Sequence, residues 1–204
     1  MKVAGIILAG GLSRRMGGRE KSLMELGGQP LIQHVKTRFE KQVETLAINA
    51  NGDPNRFEFL GLDVVADPVD GFVGPLAGVL AGMQWATRQK EISHVVSVAA
   101  DTPFFPNDLV GSLTEKLAET PSAKIALASS QNRLHPVFGL WPVSLAAALR
   151  DFLERGETRK VLAFVDEHGL AETPFEIVDD FDPFFNINTD EDLQLAANRV
   201  GQSL

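Results

Sequence analysis

The sequence predicts a three-layer α/β fold built on a mainly parallel sheet. Three observations carry this. Apolar strand-like runs alternate with helical patterns along the 204 residues, as they do in βαβ units. The first apolar run, Val3–Leu8, passes directly into a glycine-rich segment. A later run, Val95–Ala100, ends on a single carboxylate, Asp101, and Pro103 then blocks continuation of the strand. In open parallel sheets ligands bind outside the carboxyl ends of the strands, so both strand ends are expected on one rim.

Strands are expected at Val3–Leu8, Thr45–Asn49, Asp63–Ala66, His94–Ala99 and Lys124–Ala128. Helical patterns run over Leu31–Gln42, Leu76–Thr87, Asp108–Glu119, Val143–Leu153, Lys160–Glu167 and Asp190–Arg199. Pro30 and Pro75 sit where a first helical residue tolerates a missing N–H. Asn107 and Thr189 suit N-caps, and Thr189 with Asp192 has the form of a capping box. From about Asn132 to Phe185 the alternation is less clean, which predicts a second lobe or an antiparallel addition packed on the first half. There is no internal repeat, low-complexity tract or long linker, so one domain over residues 1–204 is expected.

Composition narrows the function. Apolar residues make up 44% of the chain, ordinary for a globular protein, and no apolar run approaches the roughly 18–20 residues of a membrane span. Met1-Lys2 leads straight into the first strand, leaving no room for a signal peptide. With no cysteine, disulfides, thiolate metal sites and a cysteine nucleophile are excluded, as suits a reducing cytoplasm. A net charge of −8 and a pI near 5.0 argue against a nucleic-acid partner, since phosphate backbones select basic surfaces.

Against that acidic background, four glycines and four cations fall between Gly10 and Lys21. Glycines let backbone N–H groups approach an anion closely. Arg14, Arg15, Arg19 and Lys21 add positive charge, so the segment reads as a site for a small polyanion such as a nucleoside triphosphate. It is neither of two common phosphate loops. Gly10-Gly11-Leu12 fails the alternate glycines of G-x-G-x-x-G, and Lys21-Ser22 follows Glu20, not the glycine of a Walker loop.

The other strand ends supply polar groups. Asp101 beside triphosphate oxygens suits Mg²⁺, which takes hard oxygens and shares them with substrate phosphates; the alternative is a turn aspartate capping Thr102 or Phe104. Asn49-Ala50-Asn51 and Asp67 end the second and third strands. There they suit nucleoside donors or serve as plain turn formers. Gly74-Pro75-Leu76-Ala77-Gly78 opens a helix with small residues, fit for close approach of a ligand, for tight packing, or for both. Phe104-Phe105 and Phe184-Phe185 read as packing residues. His34, His94, His135 and His168 have no metal-ligand spacing.

The run from Leu8 to Lys21 resembles L-A-G-G-x-S-R-R-M-G-G-x-D-K, the opening signature of the molybdopterin guanylyltransferases, the MobA family of molybdenum cofactor guanylyltransferases. Every specified position matches except Glu20, which stands where the family has Asp and adds a methylene. The G-P-L-A-G run at Gly74 is similar too. The resemblance implies a nucleotide-diphospho-sugar-transferase-like, Rossmann-like fold and transfer of GMP from GTP to molybdopterin or its molybdenum-loaded form. It implies GTP binding by Leu8, Ala9, Gly10, Lys21, Asn49, Asp67 and Asp101, with Mg²⁺ on Asp101. Arg15 would hold the β- and γ-phosphates and Lys21 the α-phosphate.

It also divides the chain into a GTP-binding half, about 1–130, and a pterin half, about 131–204. Arg133 is a candidate for the pterin phosphate and Asn188 for the metal or phosphate end; an exposed arginine and a helix start are the plain alternatives. The expected partners are molybdopterin-delivering proteins and molybdoenzyme apoproteins. Two rival functions remain at this point. One is a cytidylyltransferase of the same fold, which tends to carry L-A-A-G. The other is a non-catalytic carrier or sensor of GTP or cofactor.

Overall fold

The computed structural model describes residues 1–10, 20–69, 71, 74–156 and 158–202. Arg14, Arg15 and Arg19 lie outside them. Nine strands are described: β1 Val3–Leu8, β2 Glu25–Leu26, β3 Gln29–Pro30, β4 Thr45–Asn49, β5 Asp63–Val65, β6 His94–Ala99, β7 Ile125–Ser130, β8 Arg133–Pro142 and β9 Leu170–Pro174. The helices are α1 Leu31–Phe39, α2 Pro75–Ala86, α3 Leu109–Glu119, α4 Ala146–Arg155, α5 Val161–His168 and α6 Asp190–Gln202.

Seven strands form one sheet in the order β5-β4-β1-β6-β8-β7-β9. All pairings are parallel except those of β8, which runs antiparallel to both β6 and β7. The sheet is therefore mainly parallel, as expected. The irregular stretch after Asn132 resolves into an antiparallel strand inserted in the sheet. Its alternation is hard to see because Phe138 to Pro142 are all buried, and a strand covered on both faces loses the period-two pattern.

Two apolar layers sandwich the sheet. One holds Ile32, Val35 and Phe39 of α1 with Leu109 and Leu113 of α3, around Phe57 and Phe105. The other holds α2, α4 and α5 against Ile6, Val95 and Trp141. Helix α2 is almost wholly buried and lies close on β1: a Cβ at Gly82 would stand 2.9 Å from Ile6. A third, smaller cluster joins Met24 and Leu26 near the β2–β3 ribbon, Leu31, and Ile187 and Ala196 at the C-terminal helix. Ile187 is fully buried there, which fixes the polar residues on either side of it.

Three start signals differ from expectation in detail. Pro30 ends β3 and caps α1 instead of beginning it. The N-cap of α3 is Asp108, while Asn107 Oδ1 accepts from Arg38 at 2.9 Å, so tertiary contact outweighs local capping. The pattern from Val143 begins as a short 3-10 turn, Val143–Leu145, before α4. The capping box at Thr189 is formed in both directions, Asp192 N–H to Thr189 Oγ1 at 3.1 Å and Thr189 N–H to Asp192 Oδ2 at 2.9 Å.

Phe105 and Phe184 are core residues. Phe184 also stacks on His135 at 4.4 Å between centroids. Ser130, buried, donates to Asp182 Oδ1 at 2.9 Å. Its single proton is thereby used, so His135 Nε2 donates to the Ser130 oxygen at 2.7 Å. Asp182 Oδ1 also accepts from Phe184 N–H at 2.9 Å. This chain ties the β7–β8 hairpin to the segment leading to Ile187.

Candidate functional site

Parallel pairing aligns the carboxyl ends of β5, β4, β1 and β6. Leu8 pairs with Asn49 on one side and Ala99 on the other. Ala9 N–H donates to Asn49 O at 2.9 Å, and Ala100 N–H donates to Leu8 O at 3.1 Å. Asp67, Asn49, Leu8–Gly10 and Asp101 therefore stand in a row across three strand spacings, about 14 Å. That length suits a ligand with a separate base end and phosphate end.

At the β6 end, Lys21 and Asp101 meet. Lys21 begins a 3-10 turn, Lys21–Leu23, and its Nζ donates to Asn188 Oδ1 at 2.5 Å and lies 3.8 Å from Asp101 Oδ2. Asp101 O in turn accepts from Ile187 N–H at 2.9 Å. The Thr102 hydroxyl lies between Asn186 Oδ1 and Asp101 Oδ1. Asp101 is held by its own turn and by the segment around buried Ile187. Burial pushes its carboxyl above the usual carboxylate range, and the Lys21 ammonium opposes that rise. A carboxylate so placed gains from any further cation beside it.

At the other end lies a carboxylate–amide cluster. Asn49, nearly fully buried, donates through Nδ2 to Val65 O at 3.1 Å and Asp67 Oδ1 at 2.9 Å. Asn51 donates to Asp67 Oδ2 at 2.7 Å and accepts from Asp67 N–H at 2.9 Å. Both Asp67 oxygens are thus oriented by amides. Gly78 of α2 packs on this cluster, since a Cβ there would lie 2.2 Å from Asn49 Oδ1 and 2.7 Å from Leu8 Cδ2. The small residue in G-P-L-A-G serves close helix-to-sheet packing. Among the described residues, the nearest atom to a Cβ at Gly10 would be Asn49 Oδ1 at 3.9 Å.

Of the expected site residues, Leu8, Ala9, Gly10, Lys21, Asn49, Asp67 and Asp101 share this rim, and Asn188 joins them through Lys21. Arg15 lies outside the described residues. Arg133 is exposed at the start of β8. Sequence reading passed over Thr102, Asn186, Asn51 as the orienting partner of Asp67, and Arg56, described below. Asn51 carried a signal, two residues after Asn49 in a strand-end N-A-N; Arg56 carried none.

The donor set at Asp101 is all hard oxygen: its own carboxylate with the Asn188 amide oxygen nearby. Among the described residues no group of three or more His, Asp or Glu could hold a metal by itself. A single carboxylate fits a Mg²⁺-type ion that draws its remaining ligands from phosphate and water, and does not fit a closed transition-metal site.

A mainly parallel sheet with a lysine and a carboxylate at one strand end, and an oriented carboxylate–amide pair at another, has the layout of a nucleotidyltransferase. Comparison with known proteins agrees. Residues 5–171 match the family described as MobA-like NTP transferase domain, and the chain belongs to that family. It is 49% identical over 204 residues to the molybdenum cofactor guanylyltransferase of Mesorhizobium japonicum, covering 99% of this chain and 97% of that protein. It is also 49% identical over 193 residues to the enzyme of the same name from a Bradyrhizobium species, covering 94% of this chain and 90% of that protein. Among solved structures, molybdopterin-guanine dinucleotide biosynthesis protein A of Archaeoglobus fulgidus superposes with a TM-score of 0.76 at 26% identity, over 99% of this chain and 100% of that one. The fold recurs in a CMP-2-keto-3-deoxy-manno-octonic acid synthetase solved with CTP, at a TM-score of 0.72 and 14% identity over the full length of both chains. The protein is a nucleotidyltransferase.

Proposed function

We propose that this chain transfers GMP from GTP to molybdopterin, or to its molybdenum-loaded form, releasing pyrophosphate and forming the guanine dinucleotide cofactor. The observation that carries the reading is the meeting of Lys21 and Asp101 at the end of β6, 3.8 Å apart, in one row with the Asn49–Asp67 pair. Near-full-length identity of 49% to enzymes named molybdenum cofactor guanylyltransferase supports the choice of substrates.

In this reading the acceptor's terminal phosphate attacks the α-phosphorus of GTP. The attacking oxygen is already ionised, so no general base is needed, and catalysis rests on alignment and neutralisation of charge. Lys21 uses one N–H on Asn188 and has others for the α-phosphate. Asp101 would hold the divalent ion, Mg²⁺, with phosphate and water as its other ligands. Such an ion supplies charge neutralisation at the phosphates when bound. A relative of the fold at 13% identity, from Mycobacterium tuberculosis, was solved in complex with manganese. The backbone N–H groups of the glycine segment and Arg15, which lies outside the described residues, would hold the β- and γ-phosphates. Asp67 and Asn49 take the nucleoside end, where a carboxylate accepts from donors of the guanine edge or ribose. Residues from about 131 supply the pterin side, with Arg133 as the candidate for its phosphate, while Asn188 of the same half joins the nucleotide's phosphate end through Lys21.

Among the described residues no helix is long and apolar enough to cross a membrane. We place the protein in the cytoplasm, working with molybdopterin-delivering proteins and molybdoenzyme apoproteins.

The test is pyrophosphate release with Mg²⁺ and molybdopterin, comparing GTP with CTP. A polar site built for one base leaves buried groups unpaired with the other, at about 1–3 kcal/mol per group. The expected result is at least about a tenfold preference for GTP in kcat/KM. Equal rates would favour the cytidylyltransferase reading. Binding of GTP without pyrophosphate release would favour a carrier or sensor.

A further inference from the structure

Arg56 sits in the 3-10 turn Pro54–Leu60, far in sequence from the glycine segment, yet its guanidinium is bonded on three sides. Nε donates to Glu20 Oε2 at 2.8 Å. Nη2 donates to Asn51 O at 2.7 Å, and Nη1 donates to Asp53 O. Its central carbon lies 4.6 Å over the ring of buried Phe57. Glu20 immediately precedes Lys21, and its carbonyl accepts from Leu23 N–H at 3.1 Å, closing the turn that aims Lys21. Asn51 is the residue that orients Asp67 through two bonds.

We propose that Arg56 is a positioning residue of the nucleotide site, setting the separation between the phosphate-side cation Lys21 and the nucleoside-side carboxylate Asp67. It touches neither. It acts through Glu20 on one side and Asn51 on the other, and so serves a ligand that spans both ends. The proposal rests on the reading of that ligand as GTP. It also accounts for Glu20 where the resemblance has Asp. Shortening the side chain by one methylene withdraws the carboxylate by about 1.5 Å, beyond reach of a guanidinium that is already fixed by two carbonyls and a ring. Lysine cannot replace the fork, because a single ammonium on a flexible stem cannot serve a carboxylate and two carbonyls in fixed directions.

The experiment is calorimetric titration of the full-length protein with GTP and Mg²⁺, and separately with inorganic pyrophosphate and Mg²⁺, for Arg56→Lys, Glu20→Gln, Glu20→Asp and the double variant E20Q/R56K. Each single change is expected to weaken GTP about tenfold, within the range of couplings between groups in contact. Pyrophosphate, which engages one end only, should bind within about twofold of the unchanged protein. The double variant should bind GTP no more weakly than either single one. Turnover at saturating GTP should fall less than about twofold, so the loss appears in KM. Should Arg56→Lys fail to fold, the two Glu20 variants carry the same comparison. GTP affinity unchanged in the variants, an equal loss for pyrophosphate, or multiplied losses in the double variant would overturn the proposal. Failure of the unchanged protein to bind GTP would instead overturn the reading beneath it.

Discussion

Lys21 Nζ donates to Asn188 Oδ1 at 2.5 Å across 167 positions of sequence. The bond joins a residue just after the glycine segment to the start of the C-terminal helix, and it is made beside Asp101. Buried Ile187 and the Thr189 capping box hold Asn188 from both sides. The lysine is therefore aimed by the last part of the chain as much as by the first.

Replacing Asp101 with Asn keeps the shape and removes the charge. Turnover with Mg²⁺ should fall at least about a hundredfold, the order seen when a principal electrostatic stabiliser is lost. Stability should behave differently. Burial raises this carboxyl in the folded protein, so its contribution is fully present below the ordinary aspartate range and is lost as pH rises through the raised value. At neutral pH, without metal, D101N should melt at or slightly above the temperature of the unchanged protein. Near-normal turnover would rule out Asp101 as the proposed metal ligand.

Lys21→Ala should lower kcat and kcat/KM together, because a cation at the α-phosphate gains most where charge develops in the transition state. Steady-state kinetics in GTP read this directly. A rise in KM alone would make the lysine a passive binder.

Two glycines on the same rim should respond in opposite ways to alanine. At Gly78 the added methyl meets the Asn49 amide at 2.2 Å and Leu8 at 2.7 Å. G78A should lose about 1–3 kcal/mol, the usual range for overpacking, and weaken GTP as Asn49 is displaced. At Gly10 the nearest atom among the described residues is 3.9 Å from an added methyl, so G10A should cost far less stability than G78A. Its effect should fall on bound nucleotide and narrow the preference for GTP over CTP. Denaturant midpoints with a two-nucleotide kinetic comparison separate the cases.

His135 gives a pH signature. Burial, with Arg133, holds its imidazole below the usual histidine range, while Asp182 pulls the other way. A depressed folded value contributes stability that is present above the ordinary histidine pKa and lost as pH falls through the folded one. Melting temperature should decline from about pH 6.5 downward. His94 and His168 are lowered by burial as well, so His135→Gln should remove only part of the decline. An unchanged pH profile in H135Q would show that the ring does not titrate on unfolding.

Much of the fold was legible because its parallel half carries local signals. Val3–Leu8 and His94–Ala99 are apolar runs with punctuated ends, and their strand bounds are met in the structure. Strand β8 was not legible, because burial on both faces erases the alternation that marks a strand. The site followed the same division. Asp101, Asn49 and Asp67 end strands, and topology alone brings such positions together. Arg56 and Asn186 act through contacts with distant residues, and nothing in the spacing of an arginine in a surface turn announces a carboxylate 36 positions earlier.

The antiparallel insertion of β8 sets an order for biosynthesis. Strand β7 has no pairing with β6; it reaches the sheet only by way of β8. A nascent chain that ends at Ser130 therefore carries β6 with an open edge, a row of unpaired amide and carbonyl groups that invites aggregation. The edge closes only when residues 133–142 emerge, and Asn188 reaches Lys21 later still. Ribosome-stalled or truncated fragments should accordingly be chaperone clients with no transferase activity.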